Sequence, residues 1–200
     1  MDDIPFGIGK GMLLRPEPIY EAYKSLNIPE TNKIVLYFSP KGRILEQKYI
    51  NSLTKYENIV LICGHYEGID QRIIDLLVDE EISLGDFVLT GGEIPAMALI
   101  DAVARQIDGV IKESSLKEES FSNNLLEYRQ WTRPREFMGM RVPDVLISGN
   151  HKEIEKFKLE DSIRETLKYR KDLILKNDFD ENIKNIINKI LKELENESNK

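Results

Sequence analysis

The sequence predicts an α/β protein built on a mostly parallel sheet with helices on its faces, and three observations carry that prediction. First, three runs have the composition of buried strands: Ile34-Val35-Leu36-Tyr37-Phe38, Ile59-Val60-Leu61-Ile62-Cys63 and Asp86-Phe87-Val88-Leu89-Thr90. Second, each run ends in a glycine-bearing loop: Ser39-Pro40-Lys41-Gly42-Arg43, Gly64-His65-Tyr66-Glu67-Gly68 and Gly91-Gly92-Glu93. Third, apolar residues recur at helical spacing after each loop. Glycine after a strand is ordinary turn chemistry. In open α/β sheets, however, ligands settle where strands end and glycine lets backbone come close. Residues 59–98, which hold two such junctions, each with a glutamate beside its glycines, are therefore the candidate site.

In chain order, the opening Asp2-Asp3-Ile4-Pro5-Phe6-Gly7-Ile8-Gly9-Lys10-Gly11-Met12 is a glycine-dense loop. Its spacing is G-x-G-x-G with only six residues before it, which argues against the dinucleotide fingerprint and suits a substrate-approach loop. Pro16 and Pro18 introduce a helix with Ile19, Ala22, Tyr23 and Leu26 on one side. Leu45, Tyr49 and Leu53 mark the helix after the first strand, and Ile69, Ile73 and Leu77 the next. Ile94, Ala98 and Val103 mark a third, with Pro95 in its first turn. The pattern lapses from Asp108 to Asn124, where Lys112 to Ser120 is polar and reads as a linker. Beyond it, Ser148 or Asn150 caps a helix carrying Ile154 and Phe157. Ile183, Ile186, Ile187, Ile190, Leu191 and Leu194 form an apolar stripe that must dock on something. The boundaries expected are 1–111 for the sheet domain, 112–122 for the linker and 123–200 for a small, mainly helical domain.

The 200 residues suffice for one domain with an appendage, and 41% hydrophobic content with 32% charged residues describes a globular protein. No apolar run approaches the ~18 residues of a membrane span. Met1-Asp2-Asp3-Ile4-Pro5 lacks the order of a signal peptide. One cysteine, Cys63, points to a reducing cytoplasm. Net charge is −7, yet residues 129–171 hold 11 basic and 7 acidic side chains, which permits local phosphate contact.

With these residues in view, the chain resembles the bacterial tRNA (guanine-N1)-methyltransferases of the SPOUT superfamily. The matching stretches are Asp2-Asp3-x-Pro5-Phe6-Gly7-x-Gly9-x-Gly11-Met12, Ser39-Pro40-x-Gly42-Arg43, Cys63-Gly64-x-Tyr66-Glu67-Gly68-Ile69-Asp70-x-Arg72 and Leu84-Gly85-Asp86-Phe87-Val88-Leu89-Thr90-Gly91-Gly92-Glu93-x-Pro95-Ala96. Ser120-Phe121, Thr132-Arg133-Pro134, Val142-Pro143-x-Val145-Leu146 and Ser148-Gly149-Asn150-His151 follow in the family's order. The resemblance covers about residues 1–170. It implies a sheet ending in a C-terminal trefoil knot, a rare exception to unknotted topology, followed by the small helical domain, to which the resemblance assigns tRNA binding. It implies bent S-adenosylmethionine as cofactor, methylation of guanine N1 just 3′ of the anticodon, and a homodimer with tRNA across both subunits and the active site at their interface. Magnesium is compatible with the resemblance, although two histidines and one cysteine, far apart, offer no ligand set.

By family position the cofactor residues are Tyr37, Phe38, Ser39 and Pro40; Gly64, Tyr66, Glu67 and Gly68; Ile82, Leu84, Gly85, Asp86, Phe87, Val88 and Leu89; and Gly91, Gly92 and Pro95. Substrate falls to Asp2, Gly9, Lys10, Gly11, Ser120 and Arg133. Neutral guanine carries a proton on N1, so transfer needs a base, and negative charge developing on O6 needs a cation. Those roles fall to Glu119 and Arg105. The chain departs from the family at Glu119, where relatives have aspartate, and at Ile8, Lys10 and His65. Relatives also begin with a strand–helix–strand before Asp2, and its absence would leave sheet edge unpaired. Two expectations follow: an active methyltransferase, or a fragment or paralogue that binds cofactor or tRNA without turnover.

Overall fold

The computed structural model describes residues 1–7, 11–111 and 119–198. The chain divides into two compact units, Met1–Lys112 and Glu113–Lys200.

The first unit contains β1 (Asp2–Asp3), β2 (Leu13–Leu14), α1 (Pro16–Ser25), β3 (Lys33–Ile44), α2 (Gln47–Leu53), β4 (Asn58–Ile62), α3 (Gln71–Leu77), β5 (Glu80–Ser83) and α4 (Glu93–Ala104). β3 lies between β4 and β5 and is parallel to both. Because side chains alternate across a strand, β3 feeds two cores. Ile34, Leu36 and Phe38 meet Tyr49, Ile50 and Leu53 of α2 and Ala96, Leu99 and Val103 of α4. Val35 and Tyr37 meet Val60 and Ile62 of β4, Ile73 of α3 and the apolar side of α1. Burial on both faces explains the unbroken apolar run in β3.

Three expectations are corrected here. Residues 86–90 are not a strand: Phe87, Val88 and Leu89 are exposed, and the third parallel strand is β5. Gly85, at φ +152°, and a Phe87 N–H bond back to its carbonyl turn the chain out of the sheet. β5 escapes a hydropathy reading because half of it is glutamate. Only Ile82 is fully buried, while Glu81 accepts a 2.6 Å hydrogen bond from Ser39 and lies 3.3 Å from Lys41. Second, residues 39–43 remain within β3 as a bulge, with both Phe38 and Arg43 registered against Ile82. Third, α4 buries Pro95, Ala96, Leu99 and Val103, leaving Ile94 and Ala98 exposed. A helix apolar on all sides cannot be phased from spacing alone.

The second unit holds a hairpin of β6 (Glu136–Phe137) and β7 (Met140–Arg141), a 3₁₀ turn (Asp144–Ile147), α5 (His151–Tyr169), α6 (Lys171–Lys176) and α7 (Glu181–Ser198). Asn150, rather than Ser148, caps α5. The tail's stripe does dock: Ile187 and Ile190 are buried with Leu125, Ile163, Leu167 and Phe179, flanked by Ile183, Ile186 and Leu191. Leu194 lies at its exposed edge.

The segment leading away from the linker is held to α5 by polar groups. Leu126 N–H donates to Thr166 Oγ1 at 2.8 Å, and Arg129 N–H to buried Asp161 at 2.8 Å. The Arg129 guanidinium closes on the same carboxylate and covers the Trp131 ring, which packs on Phe157. Asp161→Ala removes a charged acceptor of both donors and should cost the second unit about 2–3 kcal/mol. Trp131 is the only tryptophan, so its fluorescence during urea unfolding reads this unit directly.

No helix among the described residues is long and apolar enough to cross a membrane.

Candidate functional site

The carboxyl ends of β3, β4 and β5 and the loops after them enclose a cavity of about 280 Å³. That lies at the small end of ligand pockets. Residues 37–40, 64–68, 82–85 and 87–92 line it, together with Pro95. Every cofactor residue inferred from the sequence is in this wall except Asp86, which the 85–87 turn leaves out of the lining. His65, Ser83 and Thr90 line it as well. His65 and Thr90 sit inside motifs already noted, whereas Ser83 belongs to the strand that hydropathy does not reveal.

Glycine shapes the wall at two close approaches. A Cβ on Gly92 would stand 2.6 Å from Cys63 Cα, and one on Gly64 3.1 Å from the Tyr37 ring. Both positions exclude any side chain unless backbone or a packed ring moves. The β4 and β5 loops are tied together by the Gly92 N–H bond to the Gly64 carbonyl and the pairing of His65 with Gly91. Gly92 also caps α4, whose first turn tolerates Pro95 because proline lacks the N–H that would find no partner within the helix there.

The charged groups around the cavity are mostly acidic. His65 Nε2 lies 2.6 Å from Glu93 Oε1. Hydrogen bonds from its own backbone N–H and from His65 hold the Glu93 carboxyl below the usual carboxylate range. Burial, with a smaller contribution from the charge of Glu93, pushes the Cys63 thiol up. That thiol stays protonated and is a poor nucleophile. Burial, then the charge of Glu81, likewise raises the Tyr37 phenol.

The remaining inferred residues have these places. Asp2 pairs with Leu14 in the β1–β2 ladder. Gly11, at φ +88°, abuts Glu67: a Cβ there would lie 2.5 Å from Glu67 Oε1. Glu67 N–H donates to the Met12 carbonyl, so the opening segment is laced to the pocket loop. Gly9 and Lys10, and linker residues 112–118, lie outside the described residues. Arg105 is the C-cap of α4, about 20 Å along that helix from Gly92 at ~1.5 Å per residue, and does not line the cavity. Glu119, Ser120 and Arg133 belong to the second unit. The Glu119 carbonyl accepts from Ser122 Oγ, Ser120 Oγ accepts from Glu127 N–H, and Arg133 is exposed. Among the described residues no three His, Cys, Asp or Glu side chains gather as a metal site requires.

A parallel sheet with a glycine-walled cavity at its strand ends defines the class: an α/β protein with a strand-end pocket for a small ligand. The family described as tRNA (Guanine-1)-methyltransferase TrmD matches residues 1–176. The chain is 52% identical over 179 residues to a tRNA (guanine-N(1)-)-methyltransferase of Clostridioides difficile, covering 88% of this chain and 78% of the relative. The protein of that name from Carboxydothermus hydrogenoformans is 52% identical over 174 residues, covering 86% and 68%. The one from Thermosipho africanus is 46% identical over 201 residues, covering 98% and 80%. The chain belongs to the TrmD family and is, by that membership, a methyltransferase.

Proposed function

We propose that the chain moves a methyl group from S-adenosylmethionine to N1 of the guanine at tRNA position 37. The observation that carries this reading is the cavity. Residues matched to the family's cofactor motifs from three separate loops converge on one wall. The residues present fit the cofactor. Glycine at 64, 91 and 92 leaves backbone bare where a purine edge would lie, and Glu67 in the wall offers negative charge to a sulfonium or an ammonium. The backbone of Gly64, Leu84, Phe87 and Leu89 would hold adenine and ribose. When bound, S-adenosylmethionine supplies an electrophilic methyl carbon. Glu119 accepts the N1 proton, so that the N–C bond forms as the C–S bond breaks. Arg105 stabilises the charge gathering on guanine O6.

A homodimer belongs to the same reading, on two grounds. Arg105 is a helix length from the cavity of its own protomer, so a second copy has to supply it. Ile94, Met97 and Ile100 also leave an exposed apolar strip on α4 that a partner would cover. The loops at 39–43, 64–68 and 84–92 are taken as the crossings of a trefoil knot. Support comes from backbone approaches so close at Gly42 and Gly92 that a Cβ would overlap other main chain. A cytoplasmic location follows from a tRNA substrate and a single half-buried thiol.

The test is transfer of labelled methyl from the cofactor to an unmodified tRNA transcript bearing guanine 37, with a guanine-37-to-adenine transcript as control. Label in the first alone is the expected result. Glu119 in place of the family's aspartate favours one second reading, a protein that binds cofactor without turnover. Cofactor binding with no labelled product would establish that instead.

A further inference from the structure

We infer that the β6–β7 hairpin of the second unit is a stacking platform for an unpaired RNA base, an inference that rests on the tRNA-directed function proposed above. The ladder runs Glu136 opposite Arg141 and Phe137 opposite Met140, and Val142 N–H donates to the Arg135 carbonyl beyond them. Alternation across a strand puts Arg135, Phe137 and Met140 on one face, with Glu136 and Arg141 on the other. Glu136 and Arg141 pair there at 3.5 Å. The first face is open among the described residues: Phe137 is 62% exposed, Met140 69% and the tip residue Met138 85%.

Exposing an aromatic ring and two thioethers costs solubility, and a two-stranded hairpin needs none of them at its tip. Met138 also sits at φ +50° before Gly139 at φ +80°, a turn that favours asparagine or glycine at its first position. The methionine is thus held at the tip despite its backbone preference. Charge selects the occupant. Arg133 and Arg135 precede the hairpin and Arg141 ends it, against one acidic residue, Glu136, in a chain of net charge −7. A second copy of this surface would set like charges together, whereas a polyanion with accessible rings satisfies both features at once. Aromatic and guanidinium planes together are the means by which proteins hold splayed single-stranded bases.

The experiment uses the full chain and an unmodified tRNA transcript bearing guanine 37. Phe137→Ala and Met138→Ser should each raise KM for the transcript about tenfold, leave kcat within about twofold, and leave cofactor affinity unchanged. Phe137→Trp, which keeps a ring, should restore KM. Arg135→Ala should weaken transcript binding more at low than at high salt. Unaltered Trp131 fluorescence establishes that the alanine and serine variants fold, and unchanged far-ultraviolet circular dichroism does so for Phe137→Trp, which adds a second indole. An unchanged KM in both variants, failure of Phe137→Trp to rescue, or a fall in molecular mass of Phe137→Ala (the mark of a face used between copies) would overturn the assignment. If the wild type transfers no methyl, the function proposed above fails by itself. Transcript affinity, measured directly for wild type and Phe137→Ala, still decides whether the hairpin binds RNA.

Discussion

Glu119→Ala is expected to lower kcat for methyl transfer by about 10²–10⁴-fold while leaving cofactor affinity unchanged, because deprotonation of guanine N1 is the step that general-base catalysis accelerates. Without a base the nucleophilic lone pair on N1 is tied up in the N–H bond, and the sulfonium methyl has nothing to attack it. Glu119→Gln should match the alanine variant, since the amide keeps the shape and loses the basicity. Glu119→Asp should hold or increase the wild-type rate, because aspartate keeps the basicity and is the residue that the resemblance implies for this position. A parallel loss of about 10²–10³-fold is expected for Arg105→Ala, which removes the cation proposed to face guanine O6. Single-turnover transfer with saturating cofactor and transcript measures the chemical step, and calorimetry of cofactor binding shows whether the pocket survives. Retention of more than a tenth of the wild-type rate in Glu119→Gln would move the base to another residue. A rate restored by mixing Glu119→Ala with Arg105→Ala chains would show the two groups acting from different subunits, because only a mixed dimer has one intact site.

The sequence made the sheet legible wherever burial was two-sided. The run 34–38 is apolar throughout because both of its faces are covered, and periodicity reads that pattern without difficulty. β5 was hidden for the opposite reason. Its glutamates lie in an edge strand, where Glu81 bonds to Ser39 and pairs with Lys41, so one isoleucine in four residues carries the whole burial signal. Phe87, Val88 and Leu89 misled in the complementary way, since their hydrophobicity lines a cavity instead of a core. A ligand wall and a buried strand have similar compositions, and only the glycines around such a stretch tell them apart. The site itself was legible through motifs more than through physics. Nothing in the hydropathy of Gly64 or Gly92 foretells which backbone each must approach; that depends on contacts between loops distant in sequence.

The second large effect is steric. Gly42→Ala is expected to cost about 3 kcal/mol or more and to open the first unit's sheet between β3 and β5. An alanine Cβ at this position would lie 2.5 Å from the Glu81 carbonyl carbon and 2.5 Å from the Ile82 nitrogen. Both are main chain, so no side chain can rotate away, and relief requires the strands to separate. Separation breaks the register of Tyr37 with Glu81 and of Phe38 and Arg43 with Ile82. It also opens space around Ile82, Leu36 and Leu99, which are almost fully buried in one cluster. Overpacking alone costs about 1–3 kcal/mol, and the lost burial adds to it. Gly109→Ala provides the comparison. Gly109 has φ +88° and open space around its Cβ position, so alanine there pays only the left-handed penalty of roughly 1–2 kcal/mol. Hydrogen exchange at β3 and β5 amides should therefore accelerate strongly in Gly42→Ala and little in Gly109→Ala, with cofactor affinity lost only in the former. Equal protection in the two variants would mean that Gly42 serves conformation and that β3 and β5 do not cross as closely as this geometry requires.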